Sequence, residues 1–211
     1  ALSIANMFVK DKPLLTTGFK ATSKNRDVVY TASSSLAVSD RMQLILLVNN
    51  GTASASEILT AALQENGRAT VIGTQTFGKG IMQNIIPYLG GYLNITLASY
   101  YTPNGNDIHG VGITPDYIVE SITYTNEELA AYEEFMKEDY MSAWLEKYPE
   151  YSKENIENFA KEYASTGVPT DLLHLLMRNE YIYSLDYADR PIADPDFDLV
   201  HKKAIEVIRS K

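Results

Sequence analysis

The chain contains no cysteine, and its 211 residues include only three histidines and one tryptophan. Without cysteine it can form neither a disulfide nor a cysteine-ligated metal site. It also has no apolar run near the roughly 18 residues that a membrane-spanning helix needs. No signal peptide is visible, but the chain starts without Met, and "ALSIANMFV" is typical of a helix already under way. We therefore expect it to be a piece of a longer protein.

Positive charge is also scarce. The net charge is −9, and no strong cluster of lysine and arginine occurs anywhere in the sequence. Proteins that bind nucleic acid need such a cluster to neutralise phosphates. We therefore predict that nucleic acid is not a partner.

Two regions differ in composition. Residues 1–122 are rich in β-branched and apolar runs separated by Gly, Pro and Asn, whereas residues 123–211 are rich in Glu, Lys, Tyr and Leu at helical spacing. The pattern predicts a core domain over 1–122 and a helical region over 123–211. The tyrosines of the second region are expected to serve packing and interfaces.

A βαβ unit is predicted in the first region. "QLILLVNN" (43–50) is typical of a strand buried on both faces, and "RATVIG" (68–73) of a second strand. Between them, "SASEILTAALQENG" (54–67) has the spacing of a helix that ends at Gly67. Its predicted inward face comprises Ala55, Ile58, Leu59, Ala62 and Leu63. The pattern implies an α/β fold with a parallel sheet and a right-handed crossover.

The remaining elements follow from turn and capping signals. Short strands are predicted at "PLLTTG", "DVVYTA" and "DYIVE", a hairpin around Gly90-Gly91, and a long loop at "TPNGNDIHGVGITP". Thr125 and Glu128 form a capping-box pattern before "ELAAYEEFMKEDYMSAWLEKY", which predicts a helix. Ser152 caps a further helix, and Thr170 or Asp171 another. "ADPDFDLVHKKAIEVI" (193–208) is predicted as an amphipathic helix with Phe197, Val200, Ala204 and Val207 or Ile208 inward.

The segment "GTQTFGK" (73–79) fits the spacing of a phosphate-binding loop, but its surroundings argue against that function. Such a loop needs Ser or Thr after the lysine to hold magnesium, and a helix to hold the anion. Here Gly80 follows Lys79, and "IMQNIIPYL" is typical of a strand. A nucleotide-binding function is therefore disfavoured.

Hydroxyl residues alternate with small ones where the first βαβ strand gives way to the helix. Thr52, Ser54 and Ser56 lie in "NNGTASASEI" (49–58), where a serine would be exposed beside helix N-terminal amides. Ordinary N-capping explains the same pattern. A nucleophilic serine needs a base, and no histidine is placed to serve. Lys79 can serve if burial favours its neutral amine, and flanking glycines allow close approach of another element.

At this point the sequence resembles a known family. "NNGTASASEILTAALQENGRATVIGTQTFGKGIMQ" resembles the active-site segment of the carboxyl-terminal processing proteases, which are serine peptidases with a Ser-Lys dyad. "YYTPNGNDIHGVGITPD" (100–116) resembles the loop that follows. The resemblance implies a ClpP/crotonase-like α/β core. It assigns Ser54, rather than Ser56, as nucleophile, Lys79 as base and Gln83 as the residue that holds the amine.

The resemblance also implies the remaining parts of the site. The backbone N–H of Ala55 would supply one oxyanion donor, and a glycine-rich segment ahead of Ala1 the other. Glu57 could orient the site, or could be an acid favoured at a helix start. His109 is expected to be structural, and Asp107, Asp116 and His109 do not form a convincing metal site. No metal or organic cofactor is expected.

The function implied is an endopeptidase that cleaves protein substrates near their C-termini, outside the cytoplasm. The alternative is a non-catalytic ligand- or peptide-binding module on the same fold. Family members usually carry a PDZ domain, which is not found here, so this chain alone is expected to be weakly active or inactive. The helical region is expected to pack on the core or to form a homodimer.

Overall fold

A computed structural model describes residues 1–19, 27–120, 122–191 and 197–210. The chain forms two compact units. One comprises Ala1–Glu120 with Glu206–Lys211, and the other comprises Ser121–Ile205. The first unit holds strands and helices and the second is helical, so the α/β class with a mostly helical C-terminal region is confirmed. In the described part of the chain, no helix has the length and apolar character to cross a membrane.

The described residues of the first unit form seven strands in two sheets. They are β1 (Pro13–Phe19), β2 (Val28–Thr31), β3 (Ile45–Val48), β4 (Thr70–Gly73), β5 (Ile81–Tyr88), β6 (Gly91–Tyr101) and β7 (Tyr117–Ile118). Helix α1 (Leu2–Ala5) begins the unit, and α2 (Ala55–Glu65) joins β3 to β4. The predicted strands are all present, whereas the first helix is shorter than "ALSIANMFV" predicts.

A three-stranded parallel sheet has the order β3-β4-β7. Strands β3 and β4 pair in parallel from Ile45↔Thr70 to Val48↔Gly73 across α2, which confirms the predicted βαβ unit. The prediction that β3 is buried on both faces is wrong. It is an edge strand among the described residues, and 45% of the Leu47 surface is exposed.

Helix α2 packs most of its predicted inward face into the core. Ile58, Ala62 and Leu63 are buried, and Leu59 packs against the same cluster. Ala55 is exposed, so its assignment to the inward face is wrong. It is the first residue of α2, at the end of the helix that follows β3. The helix ends as predicted, because Gly67 takes the left-handed backbone (φ 67°) that follows many helix C-termini.

A four-stranded antiparallel sheet has the order β2-β1-β6-β5. Strands β5 and β6 form the predicted hairpin, with Tyr88↔Gly91 as the last pair. Its turn lies on Leu89 and Gly90, both at positive φ (47° and 80°), as a two-residue type I′ turn requires. Asparagine or glycine is usual at the first of these positions, so Leu89 adopts a backbone conformation that is unfavourable for its side chain.

Where the structure describes it, the second unit forms five helical segments beyond its short 3₁₀ turns. They are α3 (Asn126–Phe135), α4 (Tyr140–Lys147), α5 (Lys153–Glu162), α6 (Thr170–Ser184) and most of α7 (Leu199–Arg209). Its core is aromatic, as expected of its tyrosines: Phe135, Phe159 and Tyr181 are buried, and Trp144 and Tyr163 pack against them.

The structure tests four predictions about where these helices begin and end. The capping box of Thr125 and Glu128 and the Ser152 cap are confirmed. The prediction of a single helix over "ELAAYEEFMKEDYMSAWLEKY" is wrong. Helix α3 ends at Phe135 and α4 begins at Tyr140, and the ring centroids of these two residues lie 5.0 Å apart. Thr170 and Asp171 are not caps, because α6 begins at Thr170 after Pro169.

The closing helix is shorter than its predicted segment. Residues 193–196 of "ADPDFDLVHKKAIEVI" lie outside the described residues, and α7 runs from Leu199 to Arg209. Ala204 and Val207 are buried whereas Ile208 is exposed, so the inward face uses Val207.

Candidate active site

Ser54 lies where β3 leads into α2, at the N-cap of the helix. Its backbone has φ 56° and ψ −114°, a conformation that costs a non-glycine residue of the order of 1–3 kcal/mol. Two ordinary N-caps of this chain, Thr125 and Ser152, are extended (φ −71° and −148°). N-capping alone therefore does not explain the geometry of Ser54.

The Thr52 hydroxyl has a structural role in the turn before Ser54. The N–H of Asn49 donates to Thr52 Oγ1 (3.1 Å), and the N–H of Gly51 donates to Asn49 Oδ1 (2.9 Å). The Thr52 carbonyl accepts from the N–H of Phe77 (2.9 Å), which joins this turn to the segment before Lys79. Ser56 is exposed within the first turn of α2.

The segment around Lys79 lies directly against the loop 102–115. The N–H of Gly110 donates to the Gly78 carbonyl (2.9 Å). A Cβ on Gly80 would lie 2.4 Å from the N atom of His109, and one on Gly112 would lie 2.4 Å from the Thr76 carbonyl oxygen. The prediction that the flanking glycines admit another element is therefore confirmed. His109 contributes its backbone to this contact.

Glu57 joins the nucleophile segment to the base segment. It is fully buried (0% exposed), and its Oε2 accepts from the N–H of Ser54 and from that of Lys79, each at 2.8 Å. Its Oε1 accepts from the N–H of Gly78 and from Thr76 Oγ1, each at 2.6 Å. Four donors thus meet one carboxylate, which is about its full capacity.

This arrangement bears on both interpretations of Glu57. It does complete a capping box with Ser54, as a helix-start acid would. It also reaches across to the segment that carries Lys79, which a simple cap does not. The same oxygen holds the backbone nitrogens of residues 54 and 79, so that Glu57 fixes the spacing of the two segments.

The Lys79 side chain is exposed, and so is the ring of Phe77 beside it. The burial that would favour a neutral amine is therefore not supplied by the described residues. These residues also show no hydrogen bond between the Ser54 hydroxyl and the Lys79 amine. The backbone of the predicted pair is brought together, but the side chains are not joined.

Gln83 has partners other than Lys79. It lies on β5, is exposed, and donates from Nε2 to Thr96 Oγ1 at 3.5 Å. Its Oε1 accepts from Asn94 Nδ2 at 3.3 Å. Both partners lie on the adjacent strand β6, so within the described residues Gln83 forms a cross-strand cluster and does not hold the amine.

Ala55 is placed as an oxyanion donor would be. It is the first residue of α2 and exposed, and none of the described residues accepts a hydrogen bond from its N–H. The positive end of the helix dipole adds to the attraction for an anion at this point. The arrangement can stabilise negative charge beside the Ser54 hydroxyl.

Thr76 is a structural residue of the site that the sequence analysis did not predict. The Thr76 hydroxyl donates to Glu57 and accepts from the N–H of Ile113 (2.7 Å), which binds the loop 102–115 to the site. A threonine in a polar loop carries no pattern that marks it as buried.

Among the described residues, no group of His, Asp or Glu side chains is arranged to hold a metal ion. Asp116 instead accepts from the N–H of Val71 (2.7 Å).

Comparison with known proteins places this site in a family. The chain is 46% identical over 122 residues to the carboxy-terminal-processing protease of Bartonella bacilliformis, covering 57% of the chain and 27% of that protein. It is 53% identical over 85 residues to the carboxyl-terminal-processing protease of Synechocystis, covering 40% and 20% respectively. The chain thus spans about a quarter or less of these relatives.

A solved structure and a family model are also similar to this chain. The photosystem II D1 C-terminal processing protease matches with a TM-score of 0.48 and 32% identity, over 56% of this chain and 30% of that one. The model of peptidase family S41 matches residues 1–119, which hold Ser54, Glu57 and Lys79. The chain belongs to peptidase family S41.

Proposed function

We propose that the full-length protein is a serine endopeptidase that cleaves protein substrates near their C-termini. Ser54 is the nucleophile and Lys79 the base. The observation that carries the proposal is the link through Glu57. A buried carboxylate ties the strained backbone of Ser54 to the backbone of Lys79, at the edge of a parallel sheet where the βαβ unit exposes its helix N-terminus.

The chemistry requires two proton transfers. Ser54 Oγ attacks the carbonyl carbon of the scissile peptide, while the neutral amine of Lys79 takes the hydroxyl proton. The C–N bond then breaks, and Lys79 returns the proton to the leaving amine, which leaves an ester on Ser54. Water, deprotonated by the same amine, hydrolyses the ester and regenerates the serine.

Negative charge develops on the carbonyl oxygen in each step. The N–H of Ala55 is the donor offered by this chain, assisted by the dipole of α2. A donor from outside residues 1–211 completes the oxyanion hole. Because the Lys79 amine is exposed in this chain, we also propose that other parts of the protein, or the bound substrate, exclude water from it.

Substrate class and location are proposed on the family relationship. The names of the relatives from Bartonella and Synechocystis describe processing of carboxyl termini, and we propose the same substrate class here. We further propose that the protein works outside the cytoplasm, and that the aromatic helical unit serves a homodimer. Cell fractionation and the mass of the purified protein in solution test these two points.

Ser54 can be tested against its neighbour Ser56. A fluorophosphonate probe should label the full-length protein, and Ser54→Ala should abolish both labelling and proteolysis while costing about 1 kcal/mol or less of stability. Ser56→Ala is the matched control, since it removes an exposed hydroxyl from the same helical turn. An inactive Ser56→Ala beside an active Ser54→Ala would reverse the assignment.

A further inference from the structure

The end of α2 that lies farthest from Ser54 borders a second pocket. Helix α2 has 11 residues and is therefore about 16 Å long. Beside its C-terminal end lies a pocket of about 260 Å³, whose walls include Asn66, Gly67 and Arg68. The volume suits a small organic molecule. This pocket is separate from the candidate active site, which lies at the start of the helix.

Arg68 is held in place at the wall of this pocket. Its N–H donates to the Leu63 carbonyl (2.8 Å), as in the Schellman motif that closes many helices. Its guanidinium carbon lies 5.6 Å from the centre of the Phe8 ring, and Nη2 donates to the Ser39 carbonyl (3.1 Å). The backbone and the side chain of Arg68 are therefore both positioned before any ligand arrives.

Arg68 uses few of its hydrogen-bond donors within the described residues. A guanidinium has five N–H groups, and the Ser39 carbonyl is the single acceptor found for them in this part of the chain. Its Nε is buried and has no acceptor there. Buried polar groups without a partner are rare in folded proteins, and a bound ion is one explanation for them.

The pocket is positively charged, although the chain as a whole is acidic. Lys10, Lys12 and Arg68 line it, and Asp40 is the one acid among the described residues of the lining. None of the three cations forms an ion pair in the part of the chain that the structure describes. Lys12 Nζ donates to the Asn66 carbonyl (3.3 Å), which offsets the negative end of the helix dipole and uses one of its three donors.

The pocket also has an apolar wall. Phe8, Val9 and Leu36 contribute to its lining. An inorganic anion would leave this wall in contact with water, whereas a hydrocarbon group attached to the anion would cover it. Each methylene buried in this way strengthens binding by about fourfold. The lining therefore favours a ligand with an acidic end and an apolar end.

We infer that this pocket binds a small organic anion that consists of a carboxylate or phosphate group and a short apolar portion. Arg68 and Lys12 hold the acidic group, because the planar fork of a guanidinium matches both acids and the lysine adds a second positive charge. The apolar portion packs against Phe8, Val9 and Leu36. The inference is independent of the proposed function, since it uses no residue of the candidate active site.

Isothermal titration calorimetry on the full-length protein in a low-salt buffer tests this inference. Hexanoate and hexyl phosphate are the probes, and their relative affinities identify the preferred acid. Hexan-1-ol carries the apolar portion alone, and inorganic phosphate the acidic portion alone. We expect one molecule of the preferred probe to bind per chain, about tenfold or more tightly than hexan-1-ol or inorganic phosphate.

Variants locate the binding on this pocket. Lys12→Glu reverses the charge of an exposed side chain and should weaken binding of the preferred probe by about tenfold or more. Arg68→Lys keeps the charge but removes the planar fork, and should weaken binding by about tenfold. Lys161→Glu is the matched control, because Lys161 is an exposed lysine in the last turn of another helix, α5. It should leave binding unchanged.

Three results would overturn the inference. Binding that neither Lys12→Glu nor Arg68→Lys weakens would lie elsewhere on the protein. Absence of saturable binding of both hexanoate and hexyl phosphate would mean that water alone satisfies Arg68. Equal affinity for hexan-1-ol would mean that the pocket does not recognise an anion. If Arg68→Lys fails to fold, Lys12→Glu decides the question, since its side chain is exposed.

Discussion

At the residue scale, Glu57 is the side chain on which the geometry of the site depends. Four donors point at its two oxygens, and the group is buried, so no water can replace a lost acceptor. Helix-start acids usually interact with their own helix alone. Here the carboxylate also accepts from the backbone N–H groups of Gly78 and Lys79, and we propose that it acts as a positioning residue.

We expect Glu57→Gln to damage the site more than its near-identical shape suggests. A glutamine amide group would meet N–H donors where the carboxylate has an acceptor, leaving at least one donor unpaired at a cost of about 1–3 kcal/mol. Thermal unfolding should show that loss, and kcat should fall more than KM rises. Glu65→Gln is the matched control on the same helix, since Glu65 accepts hydrogen bonds from Asn104 and Asn106 and not from the Ser54 or Lys79 segments in the described part of the chain. A folded Glu57→Gln with wild-type probe labelling would refute the positioning role.

Lys79 tests whether the base must give up a proton. Lys79→Arg keeps a positive charge at the position, but arginine does not deprotonate in proteins. We expect it to lower kcat by 10²-fold or more, nearly as much as Lys79→Ala. Lys10→Arg, another exposed lysine of the same unit, should leave activity unchanged. An active Lys79→Arg would show that the role is electrostatic.

The roles of Ser54 and Lys79 stay predictions, and they came from the family resemblance more than from local pattern. A serine at a strand-to-helix turn and a lysine between glycines made the two residues candidates, but N-capping explains the first pattern equally well. The exposure of Lys79 and the cross-strand partners of Gln83 could not be predicted, because they depend on which distant segments cover them. Three of the four contacts of Glu57 come from residues 19 to 22 positions away, beyond any local pattern.

At the scale of elements, the spacing of apolar residues and the positions of turn-forming residues predicted the βαβ unit and the hairpin. They failed where tertiary packing overrides local preference. The segment 136–139 consists of residues that tolerate a helix, yet the helix is interrupted there. The interruption lets Phe135 pack on Tyr140, Phe159 and Tyr163. The exposed face of β3 is likewise invisible in sequence, since a continuous apolar run does not say how many neighbours a strand has.

The contact between the loop 102–115 and the Lys79 segment can be tested at Gly80. Its backbone is not at positive φ, so the effect of a side chain there is steric alone. We expect Gly80→Ala to cost about 1–3 kcal/mol and to lower activity, because the Cβ would push against the backbone of His109. Equilibrium unfolding in urea and peptide cleavage measure the two effects.

A control for Gly80→Ala lies in the hairpin that begins at the next residue, Ile81. An alanine Cβ at Gly91 would meet its nearest neighbour, the Tyr88 carbonyl oxygen, at an ordinary 3.7 Å. Gly91→Ala should therefore be neutral or slightly stabilising through the unfolded state. If Gly80→Ala were as well tolerated as Gly91→Ala, the close approach of the loop would not be what holds Lys79 in place.

At the scale of the whole molecule, the chain holds two units with separate cores. The first unit carries Ser54, Glu57, Lys79 and the Ala55 amide, and the second is an aromatic helical unit. Both contain many fully buried side chains, so we expect the chain to fold. The described residues leave the Lys79 side chain exposed, and the proposed mechanism requires a second oxyanion donor besides the Ala55 amide.

We therefore expect residues 1–211 alone to be a stable but poor protease. Loss of one oxyanion donor costs on the order of 10²–10³ in rate. An amine that stays in contact with water adds to that loss, because hydration favours its protonated form. Circular dichroism should show a cooperative unfolding transition, while cleavage of casein or a tagged peptide should be at least 10²-fold slower than with the full-length protein. The Ser54→Ala variant of each form sets the background rate. Equal rates for the two forms would mean that residues 1–211 complete their own oxyanion hole and that substrate binding suffices to desolvate Lys79.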